Sequence, residues 1–510
     1  MNEKAQRSVN GLYELTDSGN AEAETSAYYN KDLAPTKISE RTWNTYHIAM
    51  LWVGMSIAVP NFAMASSLIS VGMSPWLAIL TVLLGSVIIL IPIQLNSHAG
   101  TKYGLPFPIF ARLSFGTLGG HLPSILRALV ACGWNAIQSW IGGKALVAIA
   151  GCFVPSVNKN PASVYVGFAV FLFLTWLIAV AGSEYIKYLE AIGSPVLIVL
   201  VGLLFVWSLW IAKGSGYGFA DLLAIKTDMT SIAENGGFMY VFLGGITASI
   251  AWWASMALNI PDFSRYAKSQ KSQFWGQLYG MPIMMTVCAF VGVVFGMATK
   301  VAYGKAIFDP TEVLTLIDNK PITILCAIGV ILATLTTNIA ANVMAPANGI
   351  SNIFPKKISY RTGVTVSCLI AVAFRPWWIY SGAGSFVYGW LNIIGGILSP
   401  VAAIFIADYY FKKKTRVDLL QIFKGRGSKY WYKNGINSKA VIAWVCGFLL
   451  PTLGSLHVPG LSWISANGYI FGFVVSYVVY MLLMKNETSS DTSEEEFSEM
   501  TENDDLVSEN

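Results

Sequence analysis

The stretch WVGMSIAVPNF, residues 52–62, interrupts an apolar run with a proline, and WASMALNIPDF, residues 253–263, does the same. Laid over each other, the phrases align Trp52 with Trp253, Met55 with Met256, Pro60 with Pro261 and Phe62 with Phe263, while Asn61 falls against Asp262. A proline inside a helix removes a backbone donor and clashes with the preceding turn. In hydrocarbon, the carbonyl it frees is costly unless something satisfies it. One such break is an ordinary kink in a membrane helix. A matched pair within an eleven-residue phrase points to a shared purpose.

The setting is a membrane. The chain has 510 residues, 55% hydrophobic and 12% charged, with a mean hydropathy of +0.56. A soluble domain carries about 25% charged residues, and a span needs roughly 20 apolar ones. Apolar runs near 46–70, 76–97, 123–152, 163–182, 188–212, 238–258, 279–299, 321–347, 362–375, 383–410, 439–454 and 464–484 predict twelve spans. The expected fold is an all-α polytopic membrane protein with both termini on one side. About 45 polar residues precede the first run, so no cleavable signal peptide is expected.

The charges orient it. Loops 98–122, 183–187 and 259–278 hold Lys102, Arg112, Lys187, Arg265, Lys268 and Lys271, and Lys485 follows the last run. The opposite side holds only Lys159, Lys213, Lys226, Lys300, Lys305, Lys320 and Arg375, while the tail and the loop after the tenth run add further basic residues to the first side. By the positive-inside rule both termini are cytoplasmic, and a plasma membrane is the default location. The six cysteines and four histidines are dispersed without metal-ligand spacing. Residues 1–44 read as a disordered cytoplasmic tail. So do residues 486–510, with ten acidic side chains and no basic one.

The two phrases lie in the first and sixth runs, an odd number of spans apart, which is the signature of an inverted repeat. Residues 45–212 would form one half and 238–410 the other, with 439–484 carrying two added spans. Breaks in equivalent helices suit a shared binding site, where unwound carbonyls hold a cation and helix ends polarise a substrate. Other polar groups fit the same place. In the third run Trp134 and Gln138 lie four apart, on one face. In the eighth, Thr334, Thr337, Asn338 and Asn342 form a one-sided polar stripe. Singly, each could serve helix packing. Together, an indole, amides and hydroxyls suit a flat, neutral, hydrogen-bonding ring.

These residues are familiar. The phrases RTWNTYHIAMLWVGMSIAVPNF, HAGTKYGLPFPIFARLSFG, LRALVACGWNAIQSWIGG, LNIPDFSRYAKSQ, LATLTTNIAANVMAPAN and LSPVAAIFIADYY resemble the nucleobase–cation symporter-1 family over about residues 30–485. They look most like its plastid nucleobase transporters and bacterial allantoin permeases. The resemblance implies a LeuT-type five-plus-five fold and alternating access. It assigns Trp134 and Trp253 to stacking on the ring, and Gln138, Asn338 and Asn342 to its polar edge. Trp252 falls where the family presents backbone or a small side chain. For sodium it implies carbonyls of Gly54, Ile57 and Ala333 with hydroxyls of Thr336 and Thr337. Ala58 replaces a glutamine of the hydantoin transporters, which puts hydantoin-like specificity in doubt.

The coupling ion stays open between Na⁺ and H⁺. Proton coupling would use an ionisable group within the membrane, and Lys144, Asp262, Glu184 and Glu190 are the candidates. The reading is a secondary-active symporter importing a nucleobase or cyclic ureide, with the lipid bilayer and a small molecule as partners, no nucleic acid and no cofactor. A vitamin-type ring such as thiamine or pyridoxine is the alternative substrate. A channel or an intramembrane enzyme is the alternative class, the latter lacking any convergent acid–base or metal set. Oligomeric state is not legible.

Overall fold

The computed structural model describes residues 5–181, 183–317, 319–353, 358–382, 384–455 and 462–487. The chain is mostly helical, and each apolar run read from the sequence carries a helix. Among the described residues, seven helices are long and apolar enough to cross a membrane, and a bent pair, Thr45–Ser56 with Val59–Ser70, makes up to eight. Four shorter apolar helices complete the set: Phe238–Trp252, Tyr360–Ala373, Ser438–Gly454 and Gly468–Leu483.

The helices pack in two groups. In one, the long helix Gln270–Tyr303 lies against both halves of the bent pair and against Pro75–Tyr103, which also contacts Phe238–Trp252. In the other, His121–Phe153 packs on Ala162–Ala181, Lys320–Asn338 and Tyr360–Ala373. Glycines allow the closest approach in the first group. A Cβ on Gly280 would lie 2.7 Å from Trp52 Cβ, and one on Gly292 would lie 2.8 Å from the Phe62 carbonyl. The unbroken helix thus splints the broken one above and below its interruption, through the small-residue contacts favoured in membranes. Helices Ala162–Ala181 and Ser183–Gly214 turn Val166, Phe173, Leu177, Val199, Val206 and Trp210 outward, as a lipid-facing surface requires.

The amino-terminal segment, expected to be disordered, is folded. Gln6–Val9 and Leu12–Leu15 form an antiparallel hairpin followed by the helix Asp17–Glu24. Arg41, 3% exposed, ties this segment down. Its guanidinium donates to the carbonyls of Thr36 (2.9 Å) and Thr101 (2.9 Å), reaching the end of Pro75–Tyr103. Burial pulls its pKa down to about 10, so it stays charged at neutral pH. The acidic residues from 488 onward lie outside the described residues.

Candidate functional site

The first interruption lies just ahead of the proline. Helix Thr45–Ser56 ends at Ile57, with φ −82° and ψ 83°, and Ala58 is fully extended. Pro60 and Asn61, expected at the break, instead occupy the first turn of Val59–Ser70. A missing N–H costs nothing there and the fixed φ favours initiation. The freed Ser56 carbonyl accepts from Asn61 Nδ2 at 2.8 Å. The chain bends by 60° between the two halves.

The second phrase carries two interruptions, one at Trp253 and one at Ile260, immediately before Pro261. Helix Phe238–Trp252 ends at Trp253 (φ −99°, ψ 9°), and Ala254–Asn259 follows. Pro261 and Asp262, expected to mark the break, start the short turn Pro261–Ser264. Asp262 Oδ1 accepts from the Phe107 N–H at 2.8 Å, so this carboxylate caps the helix Phe107–Phe115.

The equivalent residues of the two phrases meet. Trp52 and Trp253 make an edge-to-face contact at 5.1 Å. Met55 and Met256 both line one cleft, together with Ala58, Arg127, Trp134, Gln138, Trp252, Trp253, Ser255, Thr337, Ala341 and Asn342. Of the six side chains expected around a ring, five line this cleft, all under 10% exposed. Its interior of about 50 Å³ corresponds to a handful of waters, since one water needs roughly 10–15 Å³ on this measure. Trp252 helps make it narrow, touching Trp134 at 4.9 Å and Trp253 at 6.5 Å.

Asn338 is the exception. It is fully buried, donating to Asn135 Oδ1 (2.7 Å) and accepting from Asn342 Nδ2 (3.3 Å). It ties Lys320–Asn338 to His121–Phe153 behind the cleft and orients Asn342. The chain next winds through a π-helical segment, Ile339–Met344, which brings Ala341 and Asn342 to the cleft wall. Such segments recur at functional sites.

The residues expected around sodium lie on two elements, the first break and the helix Lys320–Asn338. At the first break the Ala58 N–H donates to the Ser56 carbonyl (3.0 Å) and the Asn61 N–H to that of Ala58 (2.9 Å). Gly54 and Ile57 thereby lose their helical partners. Ile57 packs with Ala333 in a small buried cluster that includes Phe62, Leu197 and Cys288. The hydroxyls of Thr336 and Thr337 lie 2.8 and 3.1 Å from the Ala333 carbonyl. The set is therefore neutral oxygen, which suits a hard cation. Among the described residues, no group of three His, Cys, Asp or Glu side chains gathers for a metal. Of the ionisable candidates, Lys144 is paired with buried Asp309 at 2.8 Å. The side chains of Glu184 and Glu190 lie outside the described residues.

Comparison with known proteins gives this geometry a family. The family described as permeases for cytosine/purines, uracil, thiamine and allantoin matches residues 35–480. A purine-uracil permease of Arabidopsis thaliana is 36% identical over 490 residues, covering 92% of this chain and 80% of that one. The allantoin permease of Bacillus subtilis is 33% identical over 465 residues, covering 89% and 93%. The chain belongs to the nucleobase–cation symporter-1 family. Its fold is that of Mhp1, a transporter of this family solved closed with bromovinylhydantoin bound, at a TM-score of 0.74 and 23% identity, covering 94% of this chain and all of the other. A Na⁺-coupled sialic acid symporter shares the fold more distantly, at a TM-score of 0.56 and 13% identity. As a member of this family, the chain is a multi-pass membrane transporter and not an enzyme.

Within this permease, sequence reasoning missed Arg127, Met55, Met256, Ser255 and Ala341. Arg127 had a readable signal. It stands seven residues before Trp134 and eleven before Gln138, a spacing that keeps all three on one helical face.

Proposed function

We propose that this permease is a cation-coupled importer of a nucleobase or related cyclic ureide, binding the ring between Trp134 and Trp253. The observation that carries this is the cleft itself, which both interrupted helices, Trp134, Trp253 and the amides of Gln138 and Asn342 line. Trp252 lines the same cleft and touches both indoles. Gln138 and Asn342 offer donor and acceptor to the ring's edge.

The cation would sit against Gly54, Ile57, Ala333, Thr336 and Thr337, coordinated by neutral oxygens and coupling the first break to the Lys320–Asn338 helix. Thr337 also lines the cleft, which gives the two ligands a common residue. A cation that binds the outward-facing state better shifts the population toward it, and ring and cation then strengthen each other's binding reciprocally. The neutral oxygen set favours Na⁺ over H⁺. Reading the four shorter apolar helices as spans gives twelve, arranged as two inverted sets of five plus two. The Trp52–Trp253 contact supports that symmetry, and the loop charges support cytoplasmic termini in a plasma membrane. A thiamine-like substrate is disfavoured, because its positive charge would meet the buried Arg127 guanidinium.

The test is uptake of radiolabelled uracil and allantoin into proteoliposomes under a sodium gradient, in wild type and Thr337→Ala. Saturable uptake that loses most of its sodium response in the variant supports the reading. An unchanged sodium response refutes the cation site.

A further inference from the structure

The cleft has a surplus of donors. Arg127 is 4% exposed and lines the cleft, yet its guanidinium is only partly engaged. Nη2 donates to the Ala341 carbonyl at 3.0 Å. With its amide turned to satisfy both its atoms, Asn259 also accepts from Nη2, at 3.3 Å, while donating to the Ser255 carbonyl. Nε and Nη1 are buried without a partner, and so is the indole Nε1 of Trp253, on the same cleft. Asp262 acts on Arg127 through space but forms no ion pair with it, its Oδ1 being held by the Phe107 N–H. Arginine cannot shed its proton to relieve this, and a buried donor left unpaired is penalised. Three orphaned donor nitrogens, two on a permanently charged guanidinium, therefore belong to residues that line the place where the ring is proposed to bind.

We propose that Arg127, with the Trp253 indole N–H, makes this permease selective for rings edged by carbonyl oxygens, neutral or deprotonated, over amino-substituted rings. Nε and Nη1 donate toward different sides of the guanidinium, so each takes a separate acceptor and the Trp253 N–H takes a third. A dioxo pyrimidine, a dioxopurine or a cyclic ureide offers these donors at least two carbonyl oxygens. Adenine has no carbonyl oxygen; it presents an exocyclic amine, a donor facing donors, with ring nitrogens as its only acceptors. A site built to hydrogen-bond a group discriminates strongly against an analogue that lacks it. The inference rests on the proposed ring site and adds the chemical identity of its edge.

The experiment is competition against uptake of radiolabelled uracil by the full-length protein in proteoliposomes, using unlabelled uracil, xanthine, allantoin, adenine and cytosine. Wild type is compared with Arg127→Gln and Arg127→Lys. In wild type the oxo-edged rings should compete at least about tenfold better than adenine. In Arg127→Gln that ratio should fall by about 10- to 100-fold, the value of one or two charge-assisted hydrogen bonds, through weaker binding of the oxo rings. Arg127→Lys, with the charge but without the separate Nε and Nη1 donors, should fall between, and decides the matter if the Gln variant does not fold. Equal competition by adenine in wild type, or a variant that weakens every ring by one factor, overturns the proposal. Ring uptake with an unmoved ratio refutes the role of Arg127 alone. Failure of every ring to compete or be carried refutes the ring site as well.

Discussion

Replacing Trp134 by alanine separates a binding wall from a packing residue. The indole is 6% exposed and makes edge-to-face contacts with Trp252 at 4.9 Å, Phe386 at 6.1 Å and Trp390 at 6.3 Å. Removing it opens a cavity, and a buried Trp→Ala costs about 3–5 kcal/mol of stability. It also removes one face of the proposed sandwich. Stacking of a base on an aromatic side chain is worth about 1–3 kcal/mol, so affinity should fall roughly 5- to 150-fold. Trp134→Phe keeps a ring and most of the contacts, and should lose only a few-fold in affinity with a smaller loss of stability. The assay is equilibrium binding of a radiolabelled ring to purified protein, with thermal unfolding measured on the same samples. Binding unchanged within about twofold in a folded but destabilised alanine variant would make Trp134 core packing and remove it from the site.

Three further predictions follow from named contacts. Asn338 and Asn342 act through one hydrogen bond at 3.3 Å, so Asn338→Ala and Asn342→Ala should each weaken ring binding, and the double variant should be no worse than Asn342→Ala alone; strictly additive losses would show that Asn338 acts elsewhere. Thr336→Ala should raise the half-saturating sodium concentration with little effect on ring affinity at saturating sodium, measured by sodium-dependent binding, whereas Thr337→Ala should affect both because Thr337 also lines the cleft. Lys144 and Asp309 form a pair in which the carboxylate is 1% exposed. Asp309 also accepts from the Thr311 N–H and hydroxyl. Lys144→Met should therefore cost about 3–5 kcal/mol by stranding a buried charge, and Lys144→Met/Asp309→Asn should recover part of it in thermal unfolding.

Much of the site was legible because helical spacing is geometric. Trp134 and Gln138 are four apart and do share a face, and the paired phrases do converge, Met55 beside Met256 and Trp52 against Trp253. What spacing cannot tell is which neighbour a polar side chain finds. Asn338 lies on the same stripe as Asn342, yet it bonds Asn135 on another helix and turns from the cleft. At each phrase an interruption falls one to three residues ahead of the proline, at Ile57 and Ala58 and at Ile260, because the fixed φ of proline makes it a good first-turn residue; the further interruption at Trp253 has no proline to mark it. The amino-terminal segment read as disordered because its composition is polar. Its order comes from partners remote in sequence. Gln6 Oε1 accepts from the Leu419 N–H at 2.9 Å, and the Arg41 Nη1 donates to the Thr101 carbonyl. No local pattern encodes such contacts.

The central claim is that two interrupted helices share one cleft where ring and cation bind together. Its most direct measurement is ring affinity of the purified protein as a function of sodium concentration, and sodium affinity as a function of ring concentration, at fixed pH. The account predicts that each ligand tightens the other by the same factor, and that Thr337→Ala collapses that factor toward one. Ring binding indifferent to sodium, with the coupling factor at one in wild type, would contradict it.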